Sequence, residues 1–174
     1  YRAIMEAILA GYSLPPRGHH GVVHWARVME NGLRIAQANG ADVEVVKLFA
    51  IFHDSLRVNE RIDQGHGQRG GDFARTLRGS LVHLDDARFD LLYEACRLHT
   101  DGHTEADPTI QACWDADRLD LGRVGISPER NRLCTKAARS SDILNWADGR
   151  GAFLVVPEII PREWGIDTKG WESA

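Results

Sequence analysis

Three features of this chain predict an all-α fold. Apolar residues recur at helical spacing, as at Val22, Trp25, Ala26, Met29, Leu33 and Ala36. Strand-like alternation is almost absent. Cap and breaker residues fall where helices of ordinary length should begin and end. The expected architecture is one irregular bundle of about six or seven helices sharing a single core.

The elements follow in order. Tyr1 to Ala10 should form a short helix with Ile4, Met5, Ile8 and Leu9 on one side, ended by Gly11 and the Pro15-Pro16 pair. The second helix spans Val22 to Asn39, and Gly40 suits its C-cap. Asp42 is a good N-cap for a third, strongly apolar helix running to about Asp54. Arg57 to Gly65 reads as a polar loop, and His66 to Leu77 as a helix weakened by glycine. Asp85 to Thr100 is a fifth helix with Phe89, Leu92, Ala95 and Cys96 as its core stripe. Pro108 can open a sixth, which should end near Gly122. Leu133 to Trp146 is a seventh. Beyond Gly149 the chain is rich in Gly and Pro, and Phe153-Leu154-Val155-Val156 reads as a short extended piece. The division expected is a helical domain over 1–150 and a C-terminal segment, 151–174, packing back on it.

Composition sets bounds. The chain has 174 residues, 43% hydrophobic and 26% charged, with a formal net charge of -4. That suits an ordinary globular domain and gives no reason to expect a nucleic-acid polymer or an anionic membrane as partner. No apolar run approaches the ~20 residues of a membrane span. Cys96, Cys113 and Cys134 are far apart and odd in number, which suits a reducing compartment better than a disulfide framework. With no basic segment leading into an apolar core at the N-terminus, a cytoplasmic location is expected.

The most informative residues are His53 and Asp54, which end the apolar run Val43 to Phe52. Burying an imidazole beside a carboxylate costs free energy unless both find strong partners, and a divalent metal is such a partner. His24 upstream and Asp117 downstream supply further ligands. Two His and two Asp leave coordination positions open for water, the layout of a catalytic site. Nitrogen and oxygen donors of this kind suit Zn, Mn, Fe, Ni or Co without selecting strongly among them.

His24, then His53-Asp54, then Asp117 within Trp114-Asp115-Ala116-Asp117-Arg118-Leu119-Asp120 resembles the HD superfamily of metal-dependent phosphohydrolases. The resemblance covers roughly Gly21 to Leu121. It implies a helical bundle around a central metal held by those four residues. The implied reaction is attack of metal-activated water on a phosphate monoester or diester of a small molecule such as a nucleotide, with Asp54 contacting that water. The acidic residues that mark the guanosine-tetraphosphate hydrolases of that family are absent after Asp54, where the chain reads Ser55-Leu56-Arg57-Val58.

Arg57, His66 and His99 are expected at the pocket as substrate contacts, because arginine's fork suits phosphate and both histidines lie between the two halves of the ligand set. Arg69 is placed near the same mouth. One metal is the primary expectation and a second metal the secondary one. His83 and the pair His19-His20 are expected to be solvated. The alternatives are a di-iron oxygenase on the same helical core, which needs two metals held by additional histidines, and a non-catalytic module that senses a nucleotide through its metal. The sequence names neither the substrate nor the oligomeric state.

Overall fold

The computed structural model describes residues 1–171. Seven α-helices hold about half of them: α1 (Arg2–Leu9), α2 (Val22–Asn39), α3 (Val43–Phe52), α4 (His66–Thr76), α5 (Asp86–Leu98), α6 (Pro108–Arg118) and α7 (Ser141–Ala152). Short tight turns follow α6, at Leu121–Val124 and Arg130–Arg132, and a wide turn spans Ile160–Trp164. Among the described residues there is no strand, only one isolated bridge between Arg78 and Val82. None of the helices is long and apolar enough to cross a membrane.

Four helices make the central body. α2 packs on α3 and α6, and α5 closes against α3 and α6. α4 attaches chiefly to α5 and less to α3, and α7 lies along the end of α2. Trp25, Met29 and Ile35 from α2, Phe49 and Phe52 from α3, Leu92 from α5 and Trp114 from α6 fill the middle. Of the three buried tryptophans, Trp114 donates its indole N–H to the Ala95 carbonyl and Trp25 to that of His20, while the Trp164 N–H is buried with no partner among the described residues.

The caps explain the boundaries. Gly40 ends α2 at φ 75°, a left-handed conformation that glycine adopts without a Cβ penalty. Asp42 accepts from the N–H groups of Glu44 and Val45 at the start of α3. Its carboxylate also takes the Arg88 fork from α5, so one side chain caps a helix and ties it to its neighbour. That guanidinium holds the Asp42 carboxyl below the usual carboxylate range. Asp85 caps α5, and Asp107 with Pro108 opens α6.

Two expectations for the C-terminal third are corrected. The seventh helix does not begin at Leu133. Buried Asp115 on α6 accepts from the backbone N–H groups of Cys134 and Thr135 and from the Thr135 hydroxyl, which holds that stretch in turns. The helix starts only at Ser141, with Ser140 as its cap, and continues through residue 150 to Ala152. Phe153 to Val156 is not an extended apolar piece seated on the core either. Phe153 is 77% exposed and Leu154 turns back at φ 50°. Within this stretch Val156 is partly buried against the core, and the side chains that enter the core fully lie later, at Ile159, Ile160 and Trp164. Residues 172–174 of the expected C-terminal segment lie outside the described residues.

α4 is the sparest of the helices. Its inward face is Gly67, Gly70 and Gly71, which lets its backbone approach α3 and α5 closely. A Cβ at Gly70 would lie 2.1 Å from the Phe52 carbonyl oxygen. Alanine is the better helix former by about 1 kcal/mol, yet here it cannot fit without moving backbone. Gly70→Ala should therefore destabilise the protein by about 1–3 kcal/mol, the usual range for overpacking. Denaturant unfolding checks this, and a raised midpoint would show that α4 is not seated on the Phe52 carbonyl.

Candidate metal centre

Three helices and two helix ends converge on a buried polar cluster. α2 supplies His24, the last turn after α3 supplies His53 and Asp54, and the end of α6 supplies Asp117. The first residue of α4 is His66, and His99 is the residue that closes α5. The structure thus brings together the four residues expected to hold a metal, and it adds His66 and His99 to them.

The six side chains form two groups, each with ligand atoms mutually within 4.8 Å: His24, His53 and Asp117, and Asp54, His66 and His99. Asp54 stands between them. Its Oδ2 lies 3.6 Å from His24 Nε2 and 3.8 Å from His53 Nε2. Its Oδ1 lies 3.1 Å from His66 Nε2 and 3.8 Å from His99 Nε2. One carboxylate therefore offers one oxygen to each group.

The tautomers follow from the outer contacts. Each histidine spends its Nδ1–H on an oxygen: His24 on the Asp120 carboxylate (2.7 Å), His53 on the Phe49 and Ala50 carbonyls, His66 on the Asp63 carbonyl and His99 on the Cys96 carbonyl. Every Nε2 is then a bare lone pair, and all four point inward. His24 Nε2 faces His53 Nε2 at 3.1 Å, and His66 Nε2 faces His99 Nε2 at 3.0 Å. Two acceptors that close repel each other unless a proton or a cation sits between them. Asp54 Oδ1 is buried with no hydrogen-bond partner among the described residues. The cluster is rich in acceptors and short of donors, which is the chemistry of a cation site. Nδ1–H bonds to carboxylate and carbonyl oxygens are the usual outer support for imidazole ligands.

Electrostatics agree with that reading. Burial pushes His53 down to about 3, against the pull of Asp54 and Asp117, so its imidazole is neutral at physiological pH. Burial acts to raise Asp54 and Asp117, but the surrounding imidazoles outweigh it and hold both carboxyls well below their usual range. His99 moves the other way: its own burial is outweighed by Asp54 and Asp117, and its affinity for a proton rises. These buried His/Asp groups can hold a metal ion.

Arg57 is buried beside the second group. Its Nη1 lies 3.2 Å from His66 Nε2 and 3.5 Å from Asp54 Oδ1, while Nε and Nη2 bond the carbonyls of Asn59 and Arg61. It points a fixed positive charge at the Asp54 side. His66 and His99, expected as substrate contacts, have their Nε2 atoms turned to Asp54 and to each other, and both rings are buried. Arg69 is drawn off from the mouth as well. It forks onto Asp63 and bonds the Leu56 and Gln64 carbonyls, pinning the loop between α3 and α4. The cluster opens at Asp117, whose side chain is 19% exposed against 3% for Asp54.

Two features escaped the sequence reading. Asp120, fully buried, is gripped by the Arg27 fork at 2.6 and 3.0 Å and orients His24. Burial acts to raise its carboxyl, and His24 and Arg27 together pull it below the usual range. A signal existed: Arg27 follows His24 by three residues and Asp120 follows Asp117 by three, so each shares a helical face with a ligand. His20, expected to be solvated, is half-buried, with Nδ1 2.6 Å from Glu60 Oε2 and its ring edge-on to His24.

Asp120→Asn tests the outer support. It keeps an acceptor for His24 but removes the charge, and metal affinity should fall about 10–100-fold with all six inner side chains intact. Equilibrium dialysis against Mn, Co or Zn measures it, and unchanged affinity would deny Asp120 any part in the centre.

Comparison with known protein families, with curated proteins and with solved structures finds no match, and the centre is read from its own geometry.

Proposed function

We propose that this chain is a metal-dependent phosphohydrolase of the HD type, cleaving a phosphate monoester or diester of a small molecule such as a nucleotide. The observation that carries the reading is the Asp54 carboxylate between two groups of inward-facing lone pairs, with one of its oxygens buried and unpartnered. The donor set fits the metal the reading requires. His24, His53, Asp54 and Asp117 would hold one divalent transition metal, and Asp54 with His66 and His99 would hold a second. A bound ion of this kind lowers the pKa of its water toward ~7 and polarises a phosphoryl oxygen.

The chain's own residues support phosphate chemistry. Arg57 holds its charge beside Asp54 through two backbone carbonyls, so it need not reorganise when negative charge develops on a phosphoryl group. Asp117 lies at the open side, where a small substrate can reach the centre. Asp54 is the one carboxylate that faces both groups, Oδ2 toward His24 and His53 and the unpartnered Oδ1 toward His66 and His99, and it is the side chain best placed to contact the attacking water. The three cysteines are unpaired, in keeping with a reducing compartment such as the cytoplasm.

A second reading has one observation in its favour. Four imidazoles and two carboxylates in two groups joined by a shared carboxylate also suit a pair of irons, and so a di-iron oxygenase. Arg57 favours phosphate, because a fixed guanidinium has no evident use in oxidising an apolar C–H bond.

Metal analysis and turnover separate the readings. Purified protein loaded with Mn, Co, Ni, Zn or Fe should release phosphate or cleave a diester from a broad panel of phosphorylated metabolites. Asp54→Ala should lose bound metal and turnover together, because that side chain serves both groups. His66→Ala should keep one ion per chain. Metal-dependent oxygen uptake with no phosphate release would transfer the assignment to the oxygenase.

Arg57→Gln should lower turnover roughly a hundredfold and leave metal content unchanged. An unaltered rate would remove Arg57 from the phosphoryl site.

A further inference from the structure

A cavity of about 410 Å³ is walled in part by Arg27 and Arg123, the two arginines that also bond Asp120. None of the six candidate metal ligands is among its lining residues. Its size falls within the range of small-molecule pockets.

The charges in its wall do not balance. Arg27 is spent: its three nitrogens go to Asp120 and the Val155 carbonyl. Arg123 gives Nε to the His19 carbonyl and Nη1 to that of Asp120, and its Nη2 has no partner among the described residues. Among the described residues Arg17 makes two long contacts, each 3.4 Å, to the Gly170 and Trp171 carbonyls. Against the last two guanidiniums stands one lining carboxylate, Glu60. Among the described lining residues one positive charge is therefore uncompensated. Glu60 itself keeps Oε1 buried and without a hydrogen-bond partner, so the same wall holds an acceptor awaiting a donor. Val23, Leu154, Val156 and Trp171 supply an apolar side.

We propose that this cavity binds a small organic phosphate with a flat, apolar body, of the size and chemistry of a nucleoside monophosphate. The phosphate takes the free donors of Arg17 and Arg123, since guanidinium groups match phosphate oxygens in charge and geometry. The base lies against Trp171 and the aliphatic side chains. A hydroxyl or exocyclic amine of the ligand donates to the partly exposed carboxylate of Glu60. The inference goes beyond the hydrolytic reading and does not depend on it, because the site is complete without a metal.

Calorimetric titration of adenosine monophosphate into the chelator-treated, metal-free chain tests it. Binding is expected, with affinity falling about tenfold or more in Arg17→Ala, where one charged contact is lost. Leu154→Trp, which fills the cavity from a half-exposed position and spares the core, should abolish it. Asp117→Asn, which disturbs the metal centre and not the cavity, should leave it unchanged. Inorganic phosphate should bind more weakly than the nucleotide. The proposal is overturned if the metal-free chain does not bind the nucleotide, or if phosphate binds as tightly. It is also overturned if binding survives Leu154→Trp but is lost in Asp117→Asn, which would put the ligand at the metal centre. Failure of the metal reading shows separately, as absence of bound metal.

Discussion

The structure depends on how four buried imidazoles are held. Each has its Nδ1–H tied to an oxygen outside the cluster, and that single contact fixes the tautomer, the ring plane and the direction of the remaining lone pair. For three of them the oxygen is a carbonyl three or four residues back along the chain: helix geometry supplies it for His53 and His99, and the loop before α4 supplies it for His66. His24 sits in the first turn of α2, where the His20 carbonyl already accepts from Trp25 and Tyr12 and that of Gly21 from the Trp25 N–H, and it needs a carboxylate from elsewhere. Asp120 fills that need, and Arg27 in turn keeps Asp120 charged in the core. An apolar interior tolerates this much polarity because the Nδ1–H groups, Asp120 and Arg27 around the lone-pair cluster are matched to one another or to carbonyls.

Much of the fold was legible because caps and periodicity agree locally. α2 begins and ends where the apolar repeat and Gly40 place it, and Asp42, Asp85 and Asp107 mark the starts of α3, α5 and α6 as their residue types suggest. The failure at α7 has a different source. Leu133 to Ser140 has helical composition, but its backbone donors go to the carboxylate of Asp115, eighteen or more residues earlier. No local window contains that competitor. The exposure of Phe153 is likewise set by where the chain leaves α7.

The centre divides in the same way. His24, His53, Asp54 and Asp117 lie on strongly patterned helices, so their convergence could be anticipated from the order of the elements. The direction of His66 and His99 could not. It depends on how closely α4 approaches α5, and that distance is set by glycines whose sequence signal reads as weakness. A Cβ at Gly67 would lie 2.1 Å from the Cys96 carbonyl oxygen, the next turn of the helix that presents His99. The same glycines that lower helix propensity are what let the two imidazoles meet at 3.0 Å.

That construction has a thermodynamic consequence. α4 is held by backbone contact with α5 and α3 and contributes only Ala74 to the buried apolar core. It is accordingly the segment of the centre closest to local unfolding, with an opening free energy below that of the α2–α3–α6 body. Any cation bound through His66 stabilises only the closed form of α4, so part of its binding free energy is spent on ordering that helix. Were cations to bind both halves, their affinities would be unequal by construction: the half built on α2, α3 and α6 would offer a preformed frame, and the half that includes α4 would report how tightly that frame is shut.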